Sequence, residues 1–331
     1  MLEFLYNKIF VNIVVGRLQT TVYIETLSKK GVVNSIEESF ETTVFDVKIE
    51  EFILQNIVES PYYYIAILDT SIKQGALPSC SNKYTASYIN NNILKCIEKK
   101  WSCYTPKEDL KTLQNSYSKI GLDFIFSPFL ILGSFFKDKI DASMSLYILV
   151  EESHLSLMIF DKSSLVFAKF LDLEHHQDTH EILSYEGEEI LEVDDGIDLE
   201  DIDAIEDIDL FDDFGDIEDL DSIDDIDEFS ESKDLEEELQ EELEEVNHQN
   251  DTDDFNEDYQ RFSLIQSAIN HFYKDDTYNS EFIENVYIAD GVGVSQDLKR
   301  YLEEEMFLSV YIRKIDLLSS LSELARLELN V

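Results

Sequence analysis

Along residues 8–48 apolar and polar side chains alternate in three runs, "KIFVNIVV", "TTVYIETLS" and "GVVNSIEESFET", broken at Gly16-Arg17 and at Lys29–Gly31. Alternation places every second side chain on one face, and glycine with polar neighbours marks a reversal, so the pattern predicts an antiparallel meander. The period then lengthens. Phe45, Val47, Ile49, Phe52, Ile53 and Ile57 recur at mostly helical spacing, and the apolar run "YYYIAILD" behind them predicts a buried strand.

"GALPSCSNKYTAS" reads as a loop, and helices are expected in "YINNNILKCIEKKW" and "TPKEDLKTLQNSYSKIG". In the second, Thr105 suits the N-cap, Pro106 the first helical position and Gly121 the residue past the C-terminus. "LDFIFSPFLILGSFF" predicts a short strand and a helix, and residues 144–173 a second meander. After a long interruption come an amphipathic helix in "FSLIQSAINHFYKDD" and a strand, glycine turn and helix in "ENVYIADGVGVSQDLKRYLEEEM". A strand in "FLSVYIRKI" and a helix near 316–327 close the chain. Meander, helix and strand thus occur twice, which predicts two related halves with a ligand cleft lined by the turns of both meanders. The amphipathic faces at 45–57 and 262–272 are expected to pack on the sheets rather than on a membrane or a partner helix.

The interruption has a pattern of its own. Ile202, Ile205, Ile208, Phe211, Phe214, Ile217, Leu220, Ile223, Ile226 and Phe229 repeat every third position among aspartate and glutamate. On an α-helix a step of three residues is about 300°, so the stripe circles the helix, and on a strand it alternates faces. Only an extended form of three residues per turn aligns it, and like-charge repulsion favours that form. The segment is expected to be disordered when alone, because it cannot bury enough apolar surface to offset its ordering entropy. Leu235, Leu239, Leu243 and Val246 do share a helical face, so a short acidic helix is expected at 233–246, capped by Ser232.

Charge sharpens this division. The chain carries a formal charge of -47, but 37 of its 72 acidic residues and one lysine lie in 186–259. The remainder, at about -11, is ordinary for a folded domain. No lysine or arginine stripe is present, which disfavours direct binding of nucleic acid. The aspartates lack the register and glycine of an EF-hand loop. His175, His176, Asp178 and His180 are of metal-ligating type but open the acidic segment, where a solvated polar loop is the plainer reading. Cys80, Cys96 and Cys103 are odd in number with no C-x-x-C spacing, so neither a disulfide framework nor a zinc site is expected, and a reducing cytoplasm is the simpler home. Cys80, between Ser79 and Ser81, has no nearby histidine to make it a nucleophile. Tyr62–Tyr64 and Trp101 suit strand packing and a helix anchor better than base stacking. No apolar run approaches the roughly 20 residues of a membrane-spanning helix.

"VYIADGVGVSQDLKRYLEEEMFLSVYI" at 286–312 resembles the adenosine motif of actin-like ATPases, and "TPKEDLKTLQNSYSKIGLDFIFSPFLIL" at 105–132 is similar to the passage before the second half in the PilM and GspL branch of that superfamily. The resemblance implies an α/β, actin-like (ribonuclease H-like) two-half fold, interrupted by a long acidic disordered insert. Residues 1–172 would supply the first half and the start of the second, 173–259 the insert and 260–331 the rest. It also implies an ATP cleft, and there the sequence departs from the family. Gly16 matches a family glycine, but Val14 stands where a magnesium-binding aspartate is expected. Leu149 or Val150 stands at the second such aspartate, with Glu151 near a glycine position. Gly291 and Gly293 remain, but Val292 separates them.

The expectation is a pseudo-ATPase with no cofactor, ATP and magnesium being the alternative, whose vestigial nucleotide cleft involves Gly16, Thr20, Gly291 and Gly293. The same glycines also suit plain strand turns. By resemblance the chain is a non-catalytic cytoplasmic scaffold at the inner face of the inner membrane, in a type IV pilus, type II secretion or DNA-uptake machine. It would bind the cytoplasmic tail of an inner-membrane assembly protein, and touch the motor ATPase. Ile205, Ile208, Phe211, Phe214, Ile217 and Phe229 are candidate partner anchors, unless the acidic segment is a solubilising tether. The alternatives are an active actin-like ATPase or kinase, and an acidic nucleic-acid mimic.

Overall fold

Each meander closes onto a parallel strand, and the same strand order results twice. A computed structural model describes residues 6–81, 90–140, 143–173, 257–275, 277–278 and 281–329. All belong to one unit built from 1–178 and 249–331, and the second unit, 179–248, lies outside the described residues. So do the period-three positions, the helix expected at 233–246, and His175, His176, Asp178 and His180.

The first sheet contains β1 (Lys8–Val15), β2 (Thr20–Ser28), β3 (Gly31–Phe40), β4 (Tyr63–Leu68) and, after three intervening strands, β8 (Phe124–Phe126). Its order is β3-β2-β1-β4-β8, with antiparallel pairing in the meander and parallel pairing from β1 to β4 to β8. The second contains β9 (Ser145–Val150), β10 (His154–Asp161), β11 (Ser164–Asp172), β12 (Asn285–Asp290) and β13 (Ser309–Lys314) in the matching order β11-β10-β9-β12-β13. Both meanders and all four later strands lie where the sequence pattern places them.

Alternation sorts the side chains into three cores. Ile9, Val11 and Ile13 of β1 face α1 (Val47–Ile57), whose Ile49, Ile53 and Ile57 are buried against them. Asp46 caps this helix by accepting the Ile49 N–H at 3.0 Å. Leu146, Ile148 and Val150 of β9 face a helix over 257–274 and α5 (Gln296–Met306), meeting Phe262, Ile265, Ile269, Leu298 and Leu302. The intervening positions, Phe10 of β1 and Tyr147 and Leu149 of β9, share the middle core with α3 (Pro128–Phe135) and α6 (Leu317–Glu328). The helix over 257–274 is called α4. Both amphipathic stretches therefore bury their apolar faces, as expected. Tyr64 likewise packs in its sheet, stacked on Phe10 with ring centroids 5.6 Å apart.

Three local expectations are corrected. Residues 92–106 form no helix: β6 (Asn92–Ile97) and β7 (Trp101–Pro106) make a hairpin, and β5 (Gly75–Leu77) joins them in a third sheet, β5-β7-β6. The hairpin turn uses Glu98 and Lys99 at φ 47 and 60, a left-handed pair without glycine or asparagine to announce it. Trp101 does meet a helix, its ring lying against Gly133 of α3.

Thr105 is not the N-cap of α2 (Lys107–Ser116). That position is Pro106, and Thr105 ends in β7 with its hydroxyl donating to Asp69 Oδ2 at 2.8 Å. Gly121 is left-handed at φ 81, but it closes a further turn after the helix, through its N–H to the Tyr117 carbonyl at 2.8 Å.

The third correction is covalent. Cys80 and Cys96 form a disulfide with Cα atoms 5.4 Å apart. They stand 16 positions apart, and only the fold of β5, β6 and β7 brings them together, so spacing gave no sign of it. Cys80 is therefore no nucleophile. Cys103 is the remaining thiol, and burial pushes its pKa up to about 12.

Candidate functional site

The turns ending β1 and β9 occupy equivalent places. Val15 pairs with Thr20 and Val150 with Leu155, each pair closing a four-residue turn. Gly16 N–H donates to the Gln19 carbonyl at 2.8 Å, and Glu151 N–H donates to the His154 carbonyl at 3.0 Å. By this register Glu151 is the counterpart of Gly16, and Glu152 of Arg17. A glutamate thus stands in one half where a glycine stands in the other.

The two turns meet. Glu152 Oε2 accepts the backbone N–H of Arg17 at 2.7 Å. A Cβ on Gly16 would collide with that same oxygen, so this glycine is needed to admit the carboxylate. Between the turns lies a cleft of about 380 Å³, also bounded by Glu37, Gly291, Asp316 and Leu317. Val14 lines it at the place where the resemblance implies a magnesium-binding aspartate.

The third turn follows β12. Asp290 Oδ1 accepts three backbone N–H groups, from Val292 at 3.1 Å, Gly293 at 2.7 Å and Val294 at 3.0 Å. Gly293 is left-handed at φ 88, which suits glycine in so tight a wrap around one oxygen. Ser295 begins α5, and its own N–H donates to Asp258 Oδ2 of α4 at 2.9 Å. Asp258 is 1 % exposed and also accepts from Arg261 Nη1 at 2.8 Å. Arg261 Nη2 reaches Glu257 at 2.9 Å, and Glu257 in turn pairs with Arg17 at 3.2 Å. Alternating charges thus run from the first turn, through α4, to the start of α5.

Glu151 differs from these carboxylates. It lines the cleft while only 7 % exposed, and its Oε2 has no hydrogen-bond partner among the described residues. Burial raises its pKa to about 8, because the low-dielectric surroundings disfavour the charged form.

Of the residues singled out from sequence, Gly16 and Gly291 line the cleft and Gly293 lies in the adjoining turn. Thr20 does not join them. It is 1 % exposed, and its Oγ1 donates to the Thr42 carbonyl at 2.7 Å, while Thr21 takes the place at the cleft. Sequence reasoning missed Asp290, Asp258 and Glu152. The available signal for Asp290 was an aspartate ending a buried strand in each half, "AILD" and "YIAD". Continuing the β1–β4 register by two residues sets Asp69 opposite Val15, as Asp290 stands opposite Val150. Asp69 likewise serves its own turn, accepting Ser71 N–H at 3.0 Å and Thr105 Oγ1 at 2.8 Å. Among the described residues no three His, Cys, Asp or Glu side chains converge as a metal site, and no helix is long and apolar enough to cross a membrane.

Comparison with solved structures points to the same architecture. A chain of the PilM-PilN type IV pilus biogenesis complex aligns over 94% of this chain and 89% of its own length, at 8% identity and a TM-score of 0.50. A Bacteroides thetaiotaomicron protein of actin-like ATPase fold and unknown function aligns over 95% and 94%, at 11% identity and 0.48. The ethanolamine utilization protein EutJ of Carboxydothermus hydrogenoformans aligns over 92% and 84%, at 8% identity and 0.36. At such identities the PilM likeness is one of fold, and with the doubled strand order it makes this an α/β, actin-like two-half fold with two mixed sheets. No curated protein matches the chain in sequence. A family of unknown function, DUF8569, matches residues 6–133, nearly all of the first half. The model of DUF8341, described as a domain of unknown function, matches residues 146–330 and so takes in the second meander, α4 and the glycine turn; the chain belongs to the DUF8341 family.

Proposed function

We propose that this chain is a non-catalytic, actin-like scaffold whose nucleotide cleft has been taken over by its own carboxylates. One observation carries the reading: backbone N–H groups in the turns, which in a phosphate-binding cleft would face the ligand, already donate to Glu152 and Asp290. A triphosphate would have to displace both and then lie beside Glu151 and Glu152, with Val14 supplying no oxygen for magnesium. The residues present do not fit that ligand.

A scaffold acts by holding partners. PilM, similar in fold, was solved with PilN in a pilus biogenesis complex. By that analogy the partner here is the tail of an inner-membrane assembly protein, with a motor ATPase as a second contact, which would set the chain at the inner face of the membrane. There the Cys80–Cys96 bridge would have to persist in reducing surroundings. The strip Ile205, Ile208, Phe211, Phe214, Ile217 and Phe229 offers regularly spaced anchors in an acidic field.

Calorimetric titration with ATP, with and without magnesium, tests the cleft. No saturable heat is expected, and a magnesium-dependent affinity in the micromolar range would overturn the reading.

A further inference from the structure

We propose that the cleft between the two turns is a site for an organic cation, a primary ammonium or a guanidinium, received by Glu151 and the carboxylates around it. The inference rests on the cleft being closed to nucleotide, and goes further by naming what enters it. Glu37, Glu151, Glu152 and Asp316 line the cleft together with His154, and among the described residues no lysine or arginine does. An acidic wall alone is ordinary solvated surface. Glu151 is what distinguishes this one.

Glu151 is 7 % exposed, and its Oε2 lacks any hydrogen-bond donor among the described residues. Its neighbours are supplied: Glu152 takes the Arg17 N–H, and Asp316 takes the Ser319 N–H at 3.1 Å as the cap of α6. Buried polar atoms are paired almost without exception, so an orphan carboxyl oxygen beside a cleft calls for a donor beyond the described residues, and the cleft is open to one from solution. In the facing turn the Gly16 N–H is given to the Gln19 carbonyl and the Arg17 N–H to Glu152.

Several features select the class of ligand. Calcium or magnesium wants six or more oxygens closing around a point, and the described carboxylates form no such group. Val14, Val292, Ile315 and Leu317 share the walls with the acids. Apolar walls with acidic groups between them suit a methylene stem ending in a charged, hydrogen-bonding head, as in a lysine, an arginine or a polyamine. The volume of about 380 Å³ accommodates one such group. Burial keeps the Glu151 carboxyl protonated near neutrality, with a pKa of about 8. A cation that ionises it therefore sends a proton to the buffer, and binding tightens as pH rises. The other titratable groups facing the cleft are Glu37, Glu152, His154 and Asp316.

The test is calorimetry on the full chain at pH 6, 7 and 8, in buffers of different ionisation enthalpy. The probes are spermidine, the blocked tripeptide acetyl-Gly-Arg-Gly-amide, and tetramethylammonium, which is charged but donates no hydrogen bond. One saturable site is expected for a donating cation, with proton release, several-fold tighter binding at pH 8 than at pH 6, and no saturation by tetramethylammonium. Glu151→Gln should weaken the site by about ten-fold or more, whereas diffuse attraction to the acidic segment would not change. Saturation by the tripeptide alone identifies an arginine of a partner chain, and saturation by spermidine alone a free polyamine; either upholds the site. Equal heats from all three cations, binding unchanged in Glu151→Gln, or binding without proton release overturns it. Failure of every cation while magnesium-ATP also fails removes this inference only, and binding of magnesium-ATP removes the reading beneath it.

Discussion

Glu151 makes stability depend on pH in a direction opposite to most carboxylates. Its folded pKa is raised from 4.5 to about 8, so the native state holds the proton more tightly than the unfolded chain does. The stability this group permits is fully present below about pH 4.5 and is lost as pH rises toward 8. Roughly 3 to 5 kcal/mol is at stake, since each pKa unit is worth about 1.4 kcal/mol. Glu151→Gln removes the ionisation while keeping the shape. Guanidinium unfolding should show parent and variant close together at pH 4.5 and the variant more stable by a few kcal/mol at pH 8.5. A gap independent of pH would mean that the carboxyl is not buried. Asp290 shows why residues of this kind escape a reading of sequence. Its three N–H partners lie two to four positions ahead, and only the folded turn gathers them onto one oxygen.

Elements whose signals are local were legible. Both meanders announced themselves in apolar runs of six to ten residues broken by turns, α1 by its apolar spacing, and α5 and α6 lie where the pattern placed helices. The β6–β7 hairpin was hidden because Glu98 and Lys99 adopt left-handed conformations without the usual residues, and because Ile93 is exposed, so that apolar spacing in β6 reports no buried face. The disulfide was hidden because it joins the segment after β5 to β6, across the sheet. A bridge closing so short a loop is worth about 3 kcal/mol in the chain-entropy account. Thiol titration of the unfolded chain should therefore find one reactive cysteine, Cys103, before reduction and three after it, with the reduced protein less stable by up to that amount. Three thiols before reduction would remove the bridge and restore the expectation of a reducing compartment. Bridges of this kind otherwise belong mainly to oxidising surroundings.

At the scale of the molecule, most of the charge lies in 186–259, a stretch that supplies no strand to the three described sheets, and deleting part of it is expected to leave the fold alone. Removal of 197–230 is expected to leave the circular dichroism and melting of the chain unchanged. It should weaken capture of an assembly partner by several-fold at low salt and by less at high salt, where the Debye length shortens. Unaltered capture would reduce the segment to a tether. The halves themselves show what a shared strand plan allows. Both keep one strand plan, yet at matched places one offers a bare amide behind a glycine and the other a carboxylate, and these two close on each other. Two copies of the first half would set donor against donor, and two copies of the second would set acid against acid. The plan has therefore become polar in the sense of a plug and its socket. At this contact each half is complementary to its sibling and mismatched to a copy of itself.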